Sequence, residues 1–178
     1  MPYRRAFVPD GSFFFTAVTE QRQPLFASAY AVGLSRTAFR AVRSTRPFEV
    51  DAIVVLPDHL HCIWTLPPGD ADFATRWWLI KTCFAKHCDP ALRAEPHRAR
   101  KAKREQALWQ HRYWEHALRD EADVIRHVAY VHFNPVKHGL VSSAIEWSYS
   151  SFRRYVSAGV YPADWGLGAI DFEGVGHE

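Results

Sequence analysis

The chain has 178 residues, 48% apolar and 23% charged, with a formal net charge of +3 and a pI near 8.8. That length and balance suit one ordinary domain that buries a core without disulfides, and the mild basicity permits a polyanionic partner without requiring one. The three cysteines, Cys62, Cys83 and Cys88, include no C-x-x-C pair, which argues against a disulfide framework or zinc knuckle and for a reducing, cytoplasmic setting. No run of about 18 uncharged apolar residues occurs, and no apolar stretch follows the basic residues 1–5, so neither a membrane span nor a signal peptide is expected. Aromatics are abundant at 15%, seven of them Trp, and suit either a core or base stacking.

Residues 12–19 are rich in β-formers and follow the turn signal Pro9-Asp10-Gly11, predicting a first strand that is central in its sheet. From 28 to 43, Val32, Leu34, Ala38, Phe39 and Val42 recur at helical spacing, with Arg36, Arg40 and Arg43 on other faces. An amphipathic helix is predicted, ended by Pro47. Strands follow over 48–56 and 59–66, joined as a hairpin through Pro57-Asp58. Pro67-Pro68-Gly69-Asp70 ends the hairpin, Asp72 can cap the next helix, and 73–88 carries Trp77, Trp78, Ile80 and Phe84. The order strand, helix, strand, strand, helix opens an α+β fold: a ferredoxin-like, split βαβ antiparallel sheet with its helices on one face. A closing strand is expected over 109–113.

Residues 93–104 are polar and strongly basic, with Arg98, Arg100, Lys101, Lys103 and Arg104 close together. Such a run is most often a solvated face; its commonest functional use is neutralising phosphates. Over 109–116 aromatic and basic residues interleave, Trp109 and Arg112 among them, which suits stacking on unpaired bases as well as core packing. Acidic residues 120–123 lead into a helix over 124–133 that Pro135 closes, because a proline ring disfavours helical geometry in the residue before it. The remainder, with a short helix to about residue 155 and a Gly-rich end, reads as a peripheral, partly mobile extension.

Two groups of residues carry chemistry. His59 and His61 flank Leu60 in the third strand, so their side chains point to one face, at a polar surface, while Leu60, Cys62 and Trp64 point to the core. Two imidazoles on one face can hold one metal ion with positions left open, although histidines at that spacing also occur simply as polar residues on a solvated sheet face. On the later helix, Tyr130 and Asn134 stand four apart and His127 three before Tyr130, so one face presents a hydroxyl and a carboxamide together. Taken bare, that spacing is more often core packing and a helix terminus.

Taken together, Pro57-Asp58-His59-Leu60-His61, the later Trp109-Gln110 with Tyr113-Trp114-Glu115-His116, the segment from Tyr130 through Asn134-Pro135 to Gly139-Leu140-Val141, and Trp147-Ser148-Tyr149-Ser150-Ser151 resemble the REP-associated tyrosine transposases. These are domesticated relatives of the small single-tyrosine insertion-sequence transposases, in the superfamily named for its His-hydrophobe-His motif. The resemblance covers residues 1–155, a single catalytic domain with a basic insert near 93–104 that departs from the family pattern, followed by a tail over 156–178.

The resemblance implies a ferredoxin-like enzyme that cleaves and rejoins single-stranded DNA beside hairpins of repeated extragenic palindromes through a 5′-phosphotyrosine. It implies Tyr130 as nucleophile and His59, His61 and Asn134 as ligands of a divalent metal, Mg²⁺ or Mn²⁺. His127 or His132 could assist proton transfer, and Arg98, Arg100, Lys101, Lys103, Arg104, Trp109, Arg112 and Lys137 are the expected DNA contacts. The partner is single-stranded or hairpin DNA, the protein a monomer or homodimer, and the setting the bacterial cytoplasm at the nucleoid. Two other readings compete: a DNA-binding regulator of palindromic repeats without strand transfer, and a hydrolase in which His59 and His61 serve a metal that activates water.

Overall fold

Four strands form one antiparallel sheet in the order β2-β3-β1-β4: β1 Ser12–Val18, β2 Glu49–Val55, β3 His59–Thr65 and β4 Trp114–Ala117. The computed structural model describes residues 11–93, 95, 107–168, 170, 172 and 175, so the predicted contacts Arg98, Arg100, Lys101, Lys103 and Arg104 lie outside the described residues. Strands β1 and β2 are each antiparallel to β3, hence parallel to each other with β3 inserted between them, which is the split βαβ connection. Helix α1, Ala29–Thr45, makes that crossover, and α2, Phe73–His87, joins β3 to β4. Asp72 caps α2 as expected, accepting from the Thr75 amide at 3.0 Å.

Strand parity divides the core into two layers. Phe13, Phe15 and Ala17 of β1 and Leu60, Cys62 and Trp64 of β3 face α1 and α2, where Trp64 stacks on Trp77 with ring centroids 4.6 Å apart. The alternate residues, Phe14 and Ile63 with Ala52, Val54 and Leu56, face the other way, against Val128, Tyr130 and Val131. Those three belong to α3, Glu121–Lys137. Helices α1 and α2 thus share one face, while α3 lies across the opposite one, so the helices do not all share a face as the sequence reading expected. The run Phe13-Phe14-Phe15 is explained by a central strand buried on both sides.

Three boundaries differ from the sequence reading. The closing strand is Trp114–Ala117, paired with Thr16 to Phe13; at 109–113 the chain forms only an isolated bridge, Thr19 to Trp109, before turning. Trp109 is held there by burial against Phe26 and Phe84. Helix α3 runs through Pro135 to Lys137: the proline forgoes the bond its amide would make to the Val131 carbonyl, but its ring is buried and packing carries the helix on. Gly139, at φ 66°, then supplies the left-handed exit, with Gly139 N–H donating to Val136 O and Leu140 N–H to Pro135 O.

The third difference concerns the extension, which among its described residues is packed rather than peripheral. Residues 147–151 run along β2, with Trp147 Nε1 donating to Val55 O at 2.9 Å and the Ser151 amide to Ile53 O at 2.8 Å, so this edge is covered. Helix α4, Phe152–Ser157, follows, and Tyr161 and Trp165 stack on Phe152. Phe172 packs on Tyr130 and Phe133. No helix among the described residues is long and apolar enough to cross a membrane.

Because Trp64 is fully buried and packs on Phe15, Phe48 and Trp77, Trp64→Ala should lower unfolding free energy by about 3–5 kcal/mol. Urea denaturation followed by circular dichroism measures this; a loss below about 1 kcal/mol would place the core elsewhere.

Candidate active site

The hairpin turn sets the first part of the site. Thr19 N–H donates to Asp58 O and Phe26 N–H to Pro57 O, pinning residues 57–58 against the loop after β1, and β3 starts at His59. Strand parity puts His59 and His61 on the face that α3 covers, their rings 4.9 Å apart at 81°. Each ring is anchored through Nδ1: His59 to Asp58 Oδ1 at 2.6 Å, His61 to Thr16 Oγ1 at 2.8 Å, Thr16 being its register partner on β1. Both imidazoles are buried, at 1% and 0% exposure, which corrects the expected polar surface: α3 lies over them.

Burial pushes the Asp58 carboxyl up, but its hydrogen bonds to His59 and Arg22 outweigh that, and its pKa lies below the ordinary value. Asp58 is therefore an anion beside His59 at neutral pH. A carboxylate behind an imidazole fixes the ring and raises its basicity toward a ligand on the other nitrogen.

Helix α3 supplies the second part. Its first turn is held by Asp120, whose side chain accepts from the Asp123 amide at 2.8 Å. Tyr130, Asn134 and Lys137 share one face at i, i+4 and i+7. Tyr130 and Asn134 are buried, and the Tyr130 ring lies 5.4 Å from that of His61. Lys137 Nζ donates to Tyr130 Oη at 3.2 Å and sits 4.9 Å from the ring centroid. The C-cap residue His138 brings its ring to 5.2 Å from His59. A phenol hydroxyl, two anchored imidazoles and an ammonium thus meet where β3 passes beneath the C-terminal half of α3, and the buried Asn134 lies one turn after Tyr130 on the same helix.

The other predicted residues lie elsewhere. The imidazole of His127 bonds the Asp123 carbonyl at 2.8 Å and stacks on His116. His132 Nε2 lies 2.9 Å from Ser151 Oγ, with its ring against Tyr155 and Phe152, so it faces the C-terminal extension. Trp109 is buried between Phe26 and Phe84 and serves the core instead of offering a stacking face, while Arg112 is exposed. The sequence reading missed Thr16 and His138 and gave Lys137 to DNA alone. Thr16 is identified only by strand register, and Lys137 could have been found from its spacing of seven after Tyr130, two helical turns.

The chain resembles known proteins over nearly its whole length. No protein-family profile matches the chain. It is 42% identical over 171 residues to the REP-associated tyrosine transposase of Escherichia coli K12, covering 96% of this chain and 93% of that one. To a putative REP-associated tyrosine transposase of Haemophilus influenzae it is 40% identical over 164 residues, covering 92% of each. A solved structure of a REP-associated tyrosine transposase bound to a REP hairpin superposes with a TM-score of 0.79 at 40% identity, over 100% of this chain and 98% of that one.

His132 yields a pH prediction. Burial, with a smaller effect from the Arg154 charge, lowers its pKa from 6.5 to about 3, so the folded protein holds the ring neutral. An unfolded chain binds a proton there below about pH 6.5. The stabilisation is therefore complete above that pH and is lost as pH falls toward the folded value, at up to about 1.4 kcal/mol per unit. Urea unfolding at pH 7, 5 and 4 should show His132→Gln losing stability less steeply than wild type; parallel curves would contradict the buried neutral ring.

Proposed function

The chain belongs to the REP-associated tyrosine transposases, and from that premise we propose that it processes DNA hairpins, cleaving and rejoining a single strand beside hairpins of repeated extragenic palindromes. The observation that carries the reading is the approach of the Tyr130 ring to 5.4 Å from His61 beneath one helix. Tyr130 is the proposed nucleophile. Its oxygen attacks the scissile phosphorus, the bond from phosphorus to the 3′ oxygen breaks, and the proton given up by the phenol to solvent is matched by one taken from solvent at the 3′ oxygen, which leaves as a free 3′ hydroxyl. The fragment on the 3′ side stays joined to the protein through its 5′ phosphate. Attack by a 3′ hydroxyl on the phosphotyrosine reverses the step, so rejoining needs no nucleoside triphosphate.

A divalent cation, Mg²⁺ or Mn²⁺, suits the donors present. His59 and His61, with Nδ1 held by Asp58 and Thr16, each offer Nε2, and Asn134 offers a carboxamide oxygen, a mixed set that leaves positions for phosphate oxygens. When bound, such an ion offsets the charge that develops on the phosphate. Lys137 acts on the nucleophile: an ammonium donating to Tyr130 Oη favours the phenolate over the phenol as attack begins. His127 and His132, turned toward Asp123 and Ser151, are less suited to that proton.

Residues 1–155 are read as the catalytic unit, with 156–178 as a tail. Arg112 and the basic residues Arg98, Arg100, Lys101, Lys103 and Arg104 are the proposed phosphate contacts. Single-stranded and hairpin DNA at the nucleoid is the proposed partner, bound by a monomer or homodimer in the bacterial cytoplasm.

The test is a denaturing gel with hairpin DNA labelled on either side of the cut, in Mg²⁺ and in Mn²⁺. Wild type should retain the 3′-side fragment covalently. Tyr130→Phe should bind hairpin DNA within about twofold of wild type and form no adduct. Lys137→Met should slow adduct formation by about 10²-fold. Cleavage by Tyr130→Phe at the wild-type rate would instead favour the hydrolase, and binding without cleavage by either protein the regulator.

A further inference from the structure

We propose that His116, Asp123 and His127 form a second cation site, separate from the His59 and His61 pair, that takes one borderline divalent ion of the zinc class. The three residues offer two imidazole nitrogens and one carboxylate oxygen, and these ligand atoms all lie within 4.8 Å of one another. Tetrahedral ligands about 2.0–2.2 Å from a common ion stand about 3.3–3.6 Å apart, so closing on a cation draws the most distant pair together by at most about 1.5 Å, within reach of side-chain rotation. Asp123 and His127 are one turn apart on α3, and His116 comes from β4, so the donors converge from two elements. Two nitrogens and one oxygen with a position left open is a donor set that zinc takes.

In the absence of an ion these groups bond one another. His116 Nε2 lies 3.1 Å from Asp123 Oδ2, and His127 Nδ1 lies 3.2 Å from Asp123 Oδ1 and 2.8 Å from the Asp123 carbonyl. The Arg119 amide donates to Asp123 Oδ2 at 3.1 Å and orients the carboxylate. The Arg119 guanidinium reaches the same oxygen at 3.4 Å from a side chain that is 74% exposed, and so can leave it. Burial pushes the Asp123 carboxyl up, but the Arg119 amide and His116 outweigh it and hold the pKa at about 2, so the group is an anion.

The surroundings fit a bound ion. His116 stacks on Trp114 and on His127, which fixes both rings, and its side chain is 29% exposed, giving an ion and a water a way in. Phe14 packs on His127 at 5.0 Å and on His61 at 5.5 Å, standing between the two groups, so one ion cannot serve both. A cation here would clamp the sheet edge at β4 to the start of α3, ahead of Tyr130. The proposal does not rest on the nucleophile reading, and Tyr130→Phe should leave it unchanged.

The experiment is calorimetric titration of the metal-free full chain with Zn²⁺, with melting curves for every variant. In a His59→Ala, His61→Ala background, one equivalent should still bind, and adding His116→Gln should weaken it at least about tenfold and abolish the zinc-dependent rise in melting temperature. Should that background fail to fold, His116→Gln in the otherwise unaltered chain should lower the stoichiometry from two to one. Co²⁺ should give visible absorption bands that His116→Gln removes. No zinc bound by the folded double-Ala background, or an affinity unchanged within twofold by His116→Gln, would show that the three residues are a hydrogen-bonded staple and overturn the proposal.

Discussion

The ring of Phe14 is the contact on which the rest of the site leans. Strand alternation sends Phe13 and Phe15 to one layer and Phe14 to the other, where its centroid lies 5.5 Å from His61, 5.0 Å from His127, 5.6 Å from Trp114 and 6.0 Å from Tyr130. One side chain thereby touches β3, β4 and α3 at once and helps set how far the helix stands above the sheet. In a close-packed interior a smaller residue would leave a void or let the helix shift, and either would change the spacing between tyrosine and histidine. The constraint also explains why the site is assembled on regular elements, where side-chain positions are fixed by packing.

Placing two imidazoles under a helix has a desolvation cost that the chain offsets differently for each ring. His59 leans on a carboxylate that Arg22 keeps charged, whereas His61 leans on a neutral hydroxyl. The first contact strengthens the ring as a donor to a cation; the second orients it without adding charge. The two histidines are therefore not equivalent, although they are two residues apart on one strand.

The succession of strands and helices along the chain, the hairpin through Pro57-Asp58 and the shared face of His59 and His61 were legible in the sequence because period and turn residues are local signals. The fourth strand was misplaced because Trp109 and Trp114 carry equal β-propensity, and only pairing with β1 and the burial of Trp109 choose between them. The helix was cut short before Pro135 because the rule for the residue before proline holds for isolated segments, while here packing carries the helix about one more turn, to Lys137. The shared helix face of Tyr130 and Asn134 was readable from their spacing, but spacing alone reads as core packing, and only the family resemblance singled the pair out. The burial of the histidines was not, since it depends on where a helix sixty residues later lies. Thr16, His138 and the contact of Lys137 with Tyr130 are likewise products of tertiary placement.

The cover on β2 has a consequence for the order in which the molecule is made. The strand ends at Val55, but the residues that close its open edge are 147–151, almost one hundred positions later. At a synthesis rate of roughly 5–20 residues per second, that edge stays bare on the ribosome for about 5–20 s after β2 has been made. Throughout that interval its amides and carbonyls are open to pairing with any extended strand nearby. The nascent chain is thus most prone to self-association before Trp147 and Ser151 emerge, and a message stalled between those points would release the aggregation-prone form of the protein.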